Sequence, residues 1–366
     1  MSLTAGIVGL PNVGKSTLFN AITNSKVEAA NYPFATIEPN VGVVEVKDER
    51  LTNLSNLFQP ERTIYTTFEF TDIAGLVKGA SSGEGLGNKF LANIRDVDAI
   101  CHVVRCFEDN SITHVYNRID PIDDVEIINM ELIMADMASL ENRMSKIAKK
   151  AKTNDAEAKS EMNVLNKIMD CLKEGKLVSS LDFSKEEKVF VKAFQLLTSK
   201  PVIYIANIKE EEINDPSINE NYNKLKAYAE ANKAEVVAIS ARIEEDLSGM
   251  DKEEKLAFLN DLGINRSGLD ELILKAYKTL GLKTFFTVGK DECRGWTFKD
   301  GMTAPECAGV IHSDFQKGFI KAEVFTYEDI MEYQSEAKLK EAGKLRLEGK
   351  DYIAQDGDIM HFRFNV

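Results

Sequence analysis

The run Gly9-Leu-Pro-Asn-Val-Gly14-Lys15-Ser16-Thr17 constrains this chain more than any other stretch. It fits Gly, four residues, Gly-Lys-Ser/Thr, a loop whose backbone N–H groups cradle phosphates. The apolar residues 5–8 ahead of it predict a buried strand, and residues 18–22 behind it predict the first turns of a helix. Gly9 and Gly14 permit a backbone path that larger residues would strain. The loop amides of Asn12, Val13, Gly14, Lys15, Ser16 and Thr17 then face phosphate oxygens at the positive end of a helix. Lys15 is the expected catalytic cation at the β- and γ-phosphates, and the Ser16 hydroxyl the expected Mg²⁺ ligand.

Two downstream stretches extend the pattern. Asn31-Tyr-Pro-Phe-Ala-Thr36 is a polar link into a strand over residues 41–46, and Thr36 is the candidate to close over Mg²⁺ and the γ-phosphate. A second strand, residues 65–70, ends in Thr71-Asp72-Ile-Ala-Gly75, the D-x-x-G element. Asp72 is placed to hold Mg²⁺ through water, and the Gly75 N–H to contact the γ-phosphate. Five glycines between Gly75 and Gly87 predict a mobile switch rather than a regular element. A helix over residues 88–97 and a buried strand around Cys101 follow.

Composition excludes several classes. With 44% hydrophobic and 28% charged residues the chain has the make-up of an ordinary globular protein, and 366 residues suffice for two or three domains. No run of about 20 apolar residues occurs, and the N-terminus lacks the flank of a signal peptide, so no membrane span and a cytoplasmic location are expected. Five cysteines without a C-x-x-C pair predict reduced thiols rather than a disulfide framework. Cys101-His102 and Cys106 are close enough to suggest a metal, but their apolar surroundings favour packed thiols. The net charge of −14 argues against whole-surface attraction to nucleic acid. Only residues 128–199, at net +1, escape the acidity, with Lys146, Lys149, Lys150 and Lys152 clustered. Those lysines read equally well as a solvated face and as a phosphate-backbone contact.

The periodicities divide the chain. Met130, Ile133, Met137, Leu140, Met144 and Ile147 form a heptad seam, and Leu165, Ile168, Met169 and Leu172 a returning stripe after the turn at residues 153–155. This predicts a helical coiled-coil insertion over 128–199 within a nucleotide domain spanning 1–127 and 200–282. The strand over residues 201–206 ends in Asn207-Ile208-Lys209-Glu210, and that over 235–239 in Ser240-Ala241-Arg242. Alternating strands and helices imply an α/β, doubly wound, mostly parallel sheet with ligands at the strands' C-terminal ends. Residues 283–366 read as a small α+β domain with strand-like runs at 284–288, 309–311, 319–325 and 359–364.

Together the phosphate loop, the continuous motif from Asp72 through Gly75, Gly79, Gly83, Gly85 and Gly87 to Leu91, the Asn207-x-x-Glu210 element and the C-terminal module resemble the YchF, or Obg-like ATPase, family over essentially the whole chain. The resemblance implies a P-loop ATPase domain of the translation-factor class, a C-terminal TGS domain of β-grasp, ubiquitin-like fold, and a ribosome-associated role in translation or stress response. It also implies that Asn207, Ile208, Glu210, Ser240 and Ala241 frame adenine. GTPases use Asn-Lys-x-Asp, whose carboxylate accepts from both N1–H and the exocyclic amine of guanine. Here Glu210 stands in that place. Adenine presents an acceptor at N1, so a carboxylate facing it is repelled, and a longer Glu can withdraw. Leu76 occupies the position where many GTPases orient water with glutamine, so a backbone carbonyl, a histidine or a bound cation must do so, and His114 is one candidate. Asn12 resembles the asparagine with which K⁺-dependent relatives hold a monovalent ion.

The expectation is therefore a Mg²⁺-dependent, K⁺-stimulated ATPase acting as a slow switch, catalysis resting on Lys15, Gly75 and His114, and Mg²⁺ held by Ser16, Thr36 and Asp72. The rival readings are a guanine-specific switch in ribosome assembly and a binding module in which hydrolysis is incidental. An intramolecular hairpin requires no dimer, so a monomer is expected.

Overall fold

The structure, a computed structural model, describes residues 4–24, 40–73, 85–109, 112, 118–152 and 155–365. Thr36, Gly75, Leu76, His114 and the turn residues 153–154 lie outside the described residues. Along the chain, β1 (Thr4–Gly9) leads through the phosphate loop into α1 (Lys15–Asn24). Then come β2 (Val41–Val46), α2 (Glu49–Phe58), β3 (Arg62–Ile64), β4 (Thr66–Asp72), α3 (Gly85–Asp96) and β5 (Ala99–Arg105). The helices α4 (Pro121–Lys152), α5 (Ala156–Lys173) and α6 (Lys185–Phe194) precede β6 (Val202–Asn207), α7 (Glu220–Ala231) and β7 (Glu235–Ile239). Three helices, α8 (Ala241–Ser248), α9 (Lys252–Asp261) and α10 (Gly268–Thr279), lead to β8 (Leu282–Thr287) and β9 (Glu292–Lys299). The chain closes with α11 (Ala304–Ile311), α12 (Ser313–Lys317), β10 (Phe319–Thr326), α13 (Tyr327–Tyr333), α14 (Glu336–Glu341), β11 (Arg346–Glu348) and β12 (Asp358–Phe364).

The first sheet has the order β2-β4-β1-β5-β6-β7, parallel throughout except for β2 against β4. Every residue of β5 and β6 is buried, as strands covered by helices on both faces require. Register sets Ile7 beside Asp72 and Gly9 beside Val103, so the phosphate loop, Asp72 and the end of β5 share one edge of the sheet.

The helices α4, α5 and α6 lie between β5 and β6, and α4 begins at Pro121, ahead of the start expected at residue 128. Asp155 caps α5 by accepting from the Glu157 and Ala158 N–H groups. Arg143 pairs with Glu161 at 2.6 Å, which fixes α4 and α5 as antiparallel neighbours. The returning stripe at Leu165, Ile168, Met169 and Leu172 is buried as expected. Met130 is not, being half-exposed. The reason is that the first half of α4 packs on β5 and α7, turning Val125, Ile128, Leu132 and Ile133 inward and Met130 outward. The buried Asp136 fastens α4 to the returning chain, accepting from Leu197 N, Thr198 N and Thr198 Oγ1 at 2.7–3.0 Å.

The second sheet has the order β11-β10-β12-β8-β9-β3, a β-grasp arrangement in which its first and last C-terminal strands, β8 and β12, pair in parallel. Two expectations are corrected here. Residues 309–311 belong to α11, because Thr303 and Glu306 form a capping box and Pro305 starts the helix, outweighing the β-branched Val310 and Ile311. The boundary at 283 is also too simple. Strand β3 pairs with β9, and Leu51 and Leu54 of α2 pack with Phe286, Phe325, Ile330 and Leu339. Arg50 adds ion pairs to Asp48 and Asp356, both at 2.8 Å. Tyr277 Oη completes the join, bridging Thr66 of β4 and Thr297 of β9 at 2.8 and 2.7 Å.

Candidate nucleotide-binding site

The phosphate loop turns on two left-handed residues, Asn12 at φ 63° and Gly14 at φ 95°. Asparagine tolerates that region better than most residues. Gly14 has a second reason to be glycine, since a Cβ there would lie 2.2 Å from Asn207 Nδ2. Gly9 is equally confined, its Cβ position falling 2.8 Å from the Val103 carbonyl oxygen. Val13 points into the core, while its carbonyl accepts from Asn207 Nδ2 at 2.9 Å. The other end of the same amide, Oδ1, accepts from the Ala241 N–H at 3.0 Å. Asn207, only 5% exposed, therefore ties the phosphate loop to the start of α8. Sequence reasoning assigned it to the purine. The structure gives it a bracing task, with one amide hydrogen left over for a base.

At the loop's other side Lys15, the first residue of α1, forms an ion pair with Asp72 at the end of β4. Ser16 is exposed beside it, Thr17 is half-buried, and the helix is closed by Leu18 N–H donating to Gly14 O at 3.0 Å. The hydroxyl of Ser16 and the carboxylate of Asp72 are hard oxygen donors, the kind Mg²⁺ takes. This donor set fits that ion.

The residues expected at the purine are less open than the sequence suggests. Ile208 is buried, and its N–H donates to Ile239 O at 2.9 Å, so its side chain is core. Ser240 and Ala241 are buried at the entry to α8. Glu210 begins a short turn beyond Asn207, and its Oε1 lies 3.1 Å from Nε of Arg242.

Helix α8 is held in turn by Glu244, whose carboxylate accepts from Gly268 N–H at 2.7 Å. Burial pushes the Glu244 carboxyl up from 4.5 to about 7. The folded value lies above the unfolded one, so the protonated acid belongs to the folded chain. Its contribution is complete below about pH 4.5 and is lost as pH rises through about 7. Denaturant titrations from pH 4.5 to 8 are expected to show Glu244→Gln removing up to about 3 kcal/mol of that pH dependence. Superimposable wild-type and variant profiles would refute the assignment.

Sequence reasoning missed two residues. Arg105, 1% exposed at the end of β5, donates to the carbonyls of Phe107, Asp109 and Ile112 at 3.0–3.2 Å and stacks on the Phe107 ring. It gathers the described backbone that leaves β5 at residues 107, 109 and 112. The signal available was a lone arginine closing an apolar strand. Arg242 was missed because an arginine after Ser-Ala has no motif value by itself. Cys101 and Cys106 are packed thiols, and burial pushes Cys101 up to about 12. Among the described residues no cluster of histidine, cysteine and acidic side chains is arranged to hold a metal ion. No described helix is long and apolar enough to cross a membrane.

Comparisons with known proteins follow the same geography. Residues 4–133 match a family described as a 50S ribosome-binding GTPase, and residues 282–365 match the YchF-GTPase C-terminal family, described as a protein of unknown function. The ribosome-binding ATPase YchF of Bacillus subtilis is 58% identical over 366 residues, covering all of both chains. Its counterpart from Escherichia coli O157:H7 is 50% identical, again over all of both chains. Among solved structures, the Schizosaccharomyces pombe YchF GTPase superposes with a TM-score of 0.89 at 39% identity, over 99% of this chain and 98% of that one.

Proposed function

This chain belongs to the YchF family, and from that premise we propose that it is a ribosome-associated, Mg²⁺-dependent ATPase that binds and slowly hydrolyses ATP, and GTP less well, as a switch linked to translation or stress response. The observation that carries the reading is the fixed unit of Val13, Asn207 and Ala241, with Glu210 turned onto Arg242 beside it. The unit joins the phosphate loop to the residues expected at the purine, where the Glu210 carboxylate is paired in charge with Arg242.

Each residue then has a task. The loop amides and Lys15 bind the phosphates, and phosphate competes with Asp72 for the Lys15 ammonium. Ser16 and Asp72, with Thr36 from outside the described residues, are the groups to hold Mg²⁺. When bound, Mg²⁺ supplies charge neutralisation at the β- and γ-oxygens. Gly75 would add an N–H to the γ-phosphate. His114 is the proposed water-positioning group, since Leu76 can neither donate nor accept. Slow turnover follows from the missing glutamine. Asn12 is assigned to a K⁺ ion at the phosphates. The acidic balance and the intramolecular helical pair fit a monomer in the cytoplasm.

Equilibrium binding of fluorescent ATP and GTP analogues, with Mg²⁺ and K⁺ present, tests the reading. ATP is expected to bind more tightly. A tenfold advantage for GTP, about 1.4 kcal/mol, would overturn it and favour the guanine-specific alternative. Phosphate release measured in the same buffers should be faster in K⁺ than in Na⁺, and equal rates remove the ion from the mechanism.

A further inference from the structure

We infer that Arg242 sets the purine preference by pairing its charge with the Glu210 carboxylate, an assignment that rests on the ATPase reading above. The geometry is fixed from two sides. Asn207 ends β6 and holds Ala241 N–H, so the backbone at Arg242 is anchored to the strand that leads into Glu210. The neighbouring acid Glu212 is committed elsewhere, accepting from Lys209 N–H at 3.1 Å and Asn219 Nδ2 at 2.8 Å. Glu210 is the carboxylate within reach of Arg242, with Nε 3.1 Å from Oε1. That oxygen is shielded from solvent and accepts no hydrogen bond among the described residues, so Arg242 acts on it by charge at ion-pair distance rather than as a hydrogen-bond donor.

The two purines respond differently. Guanine offers N1–H and an exocyclic amine side by side, and a carboxylate discriminates for it by accepting both. With the Arg242 guanidinium 3.1 Å from Oε1, the Glu210 charge is offset and the carboxylate is a poorer acceptor for the bidentate pair. Adenine offers an acceptor at N1, which an unpaired carboxylate repels and a neutralised one does not. The ion pair therefore acts against GTP and for ATP at once. Arg242 is a specificity determinant that works through Glu210, and is not a catalytic residue.

The side chains are largely on the surface, where such pairs are weak. Removing Arg242 should therefore lower the ATP-over-GTP affinity ratio by up to about fivefold, which is about 1 kcal/mol. The test measures both affinities on the full chain for wild type, Arg242→Ala, Glu210→Gln and the double variant. The expected result is a reduced ratio in Arg242→Ala and no further change when the same substitution is made in Glu210→Gln. An unchanged ratio, an equal loss for both nucleotides, or the same ratio shift in the Glu210→Gln background each overturns the inference. A wild-type chain that prefers GTP instead overturns the ATPase reading, and that is known before any variant is made.

Discussion

Replacing Lys15 with alanine is expected to slow ATP turnover by about 10²–10³-fold, the loss that follows removal of one pre-placed electrostatic group from a developing negative charge. The ammonium is nearly enclosed, with 11% of its side chain exposed, and its present partner is Asp72 at 24%. Alanine leaves that carboxylate without its cation, at a cost of about 1–2 kcal/mol of stability in this half-covered setting, below the loss for a fully buried pair. Phosphate release and thermal melting together separate the two effects. A turnover loss below tenfold in a folded variant would remove Lys15 from the chemistry. Complementation adds a second reading. If a His114→Ala chain that has lost turnover alone still supports cellular function while Lys15→Ala, which also loses phosphate binding, does not, hydrolysis is incidental and the protein is a nucleotide-gated binding module.

The second large effect is structural. Leu54→Ala is expected to destabilise the C-terminal sheet by about 2–5 kcal/mol, the usual cost of truncating a buried leucine. Leu54 is fully buried, yet most of its apolar neighbours, among them Phe286, Val288, Phe325, Ile330, Leu339 and Ile359, lie more than 230 residues further along. The single tryptophan, Trp296, sits on β9 next to β3, so its emission reports the unfolding of that sheet. A substitution in the segment between β2 and β4 should therefore shift the Trp296 transition in denaturant. An unmoved Trp296 midpoint would show that α2 is not part of the C-terminal core.

This junction has a consequence for how the two halves communicate. Strands β2 and β4 lead at one end towards Asn40 and Asp72, which are joined by Asp72 N–H donating to Asn40 O at 2.9 Å. At the other end they are connected through α2 and β3, which are built into the second sheet. The nucleotide edge and the second sheet are thus joined by packed secondary structure rather than by a loose linker.

Much of this was legible in the chain because the signals are local. Gly14-Lys15-Ser16 fixes a phosphate loop through backbone freedom and hydrogen-bond donors within a few residues. The unbroken apolar runs at β5 and β6 announce strands covered on both faces. The stripe at Leu165–Leu172 announces a helix with one buried face. The seam misplaced Met130 because α4 changes the surface it packs against midway, and a single period cannot describe two interfaces. Residues 309–311 look like a strand by composition, yet a capping box and a proline upstream decide the helix.

By itself, then, the sequence offered which groups could bind phosphate, which strands would be central and that helices would interrupt them. Tertiary structure decided what those groups face. Asn207 spans 194 positions to hold Val13, Arg242 turns to Glu210, Arg105 gathers three carbonyls, and β3 joins a sheet whose other strands begin more than 200 residues later. Periodicity and propensity act over one or two turns of backbone. Pairings such as these are selected by register, burial and the need to satisfy polar groups away from water, which only the folded chain imposes.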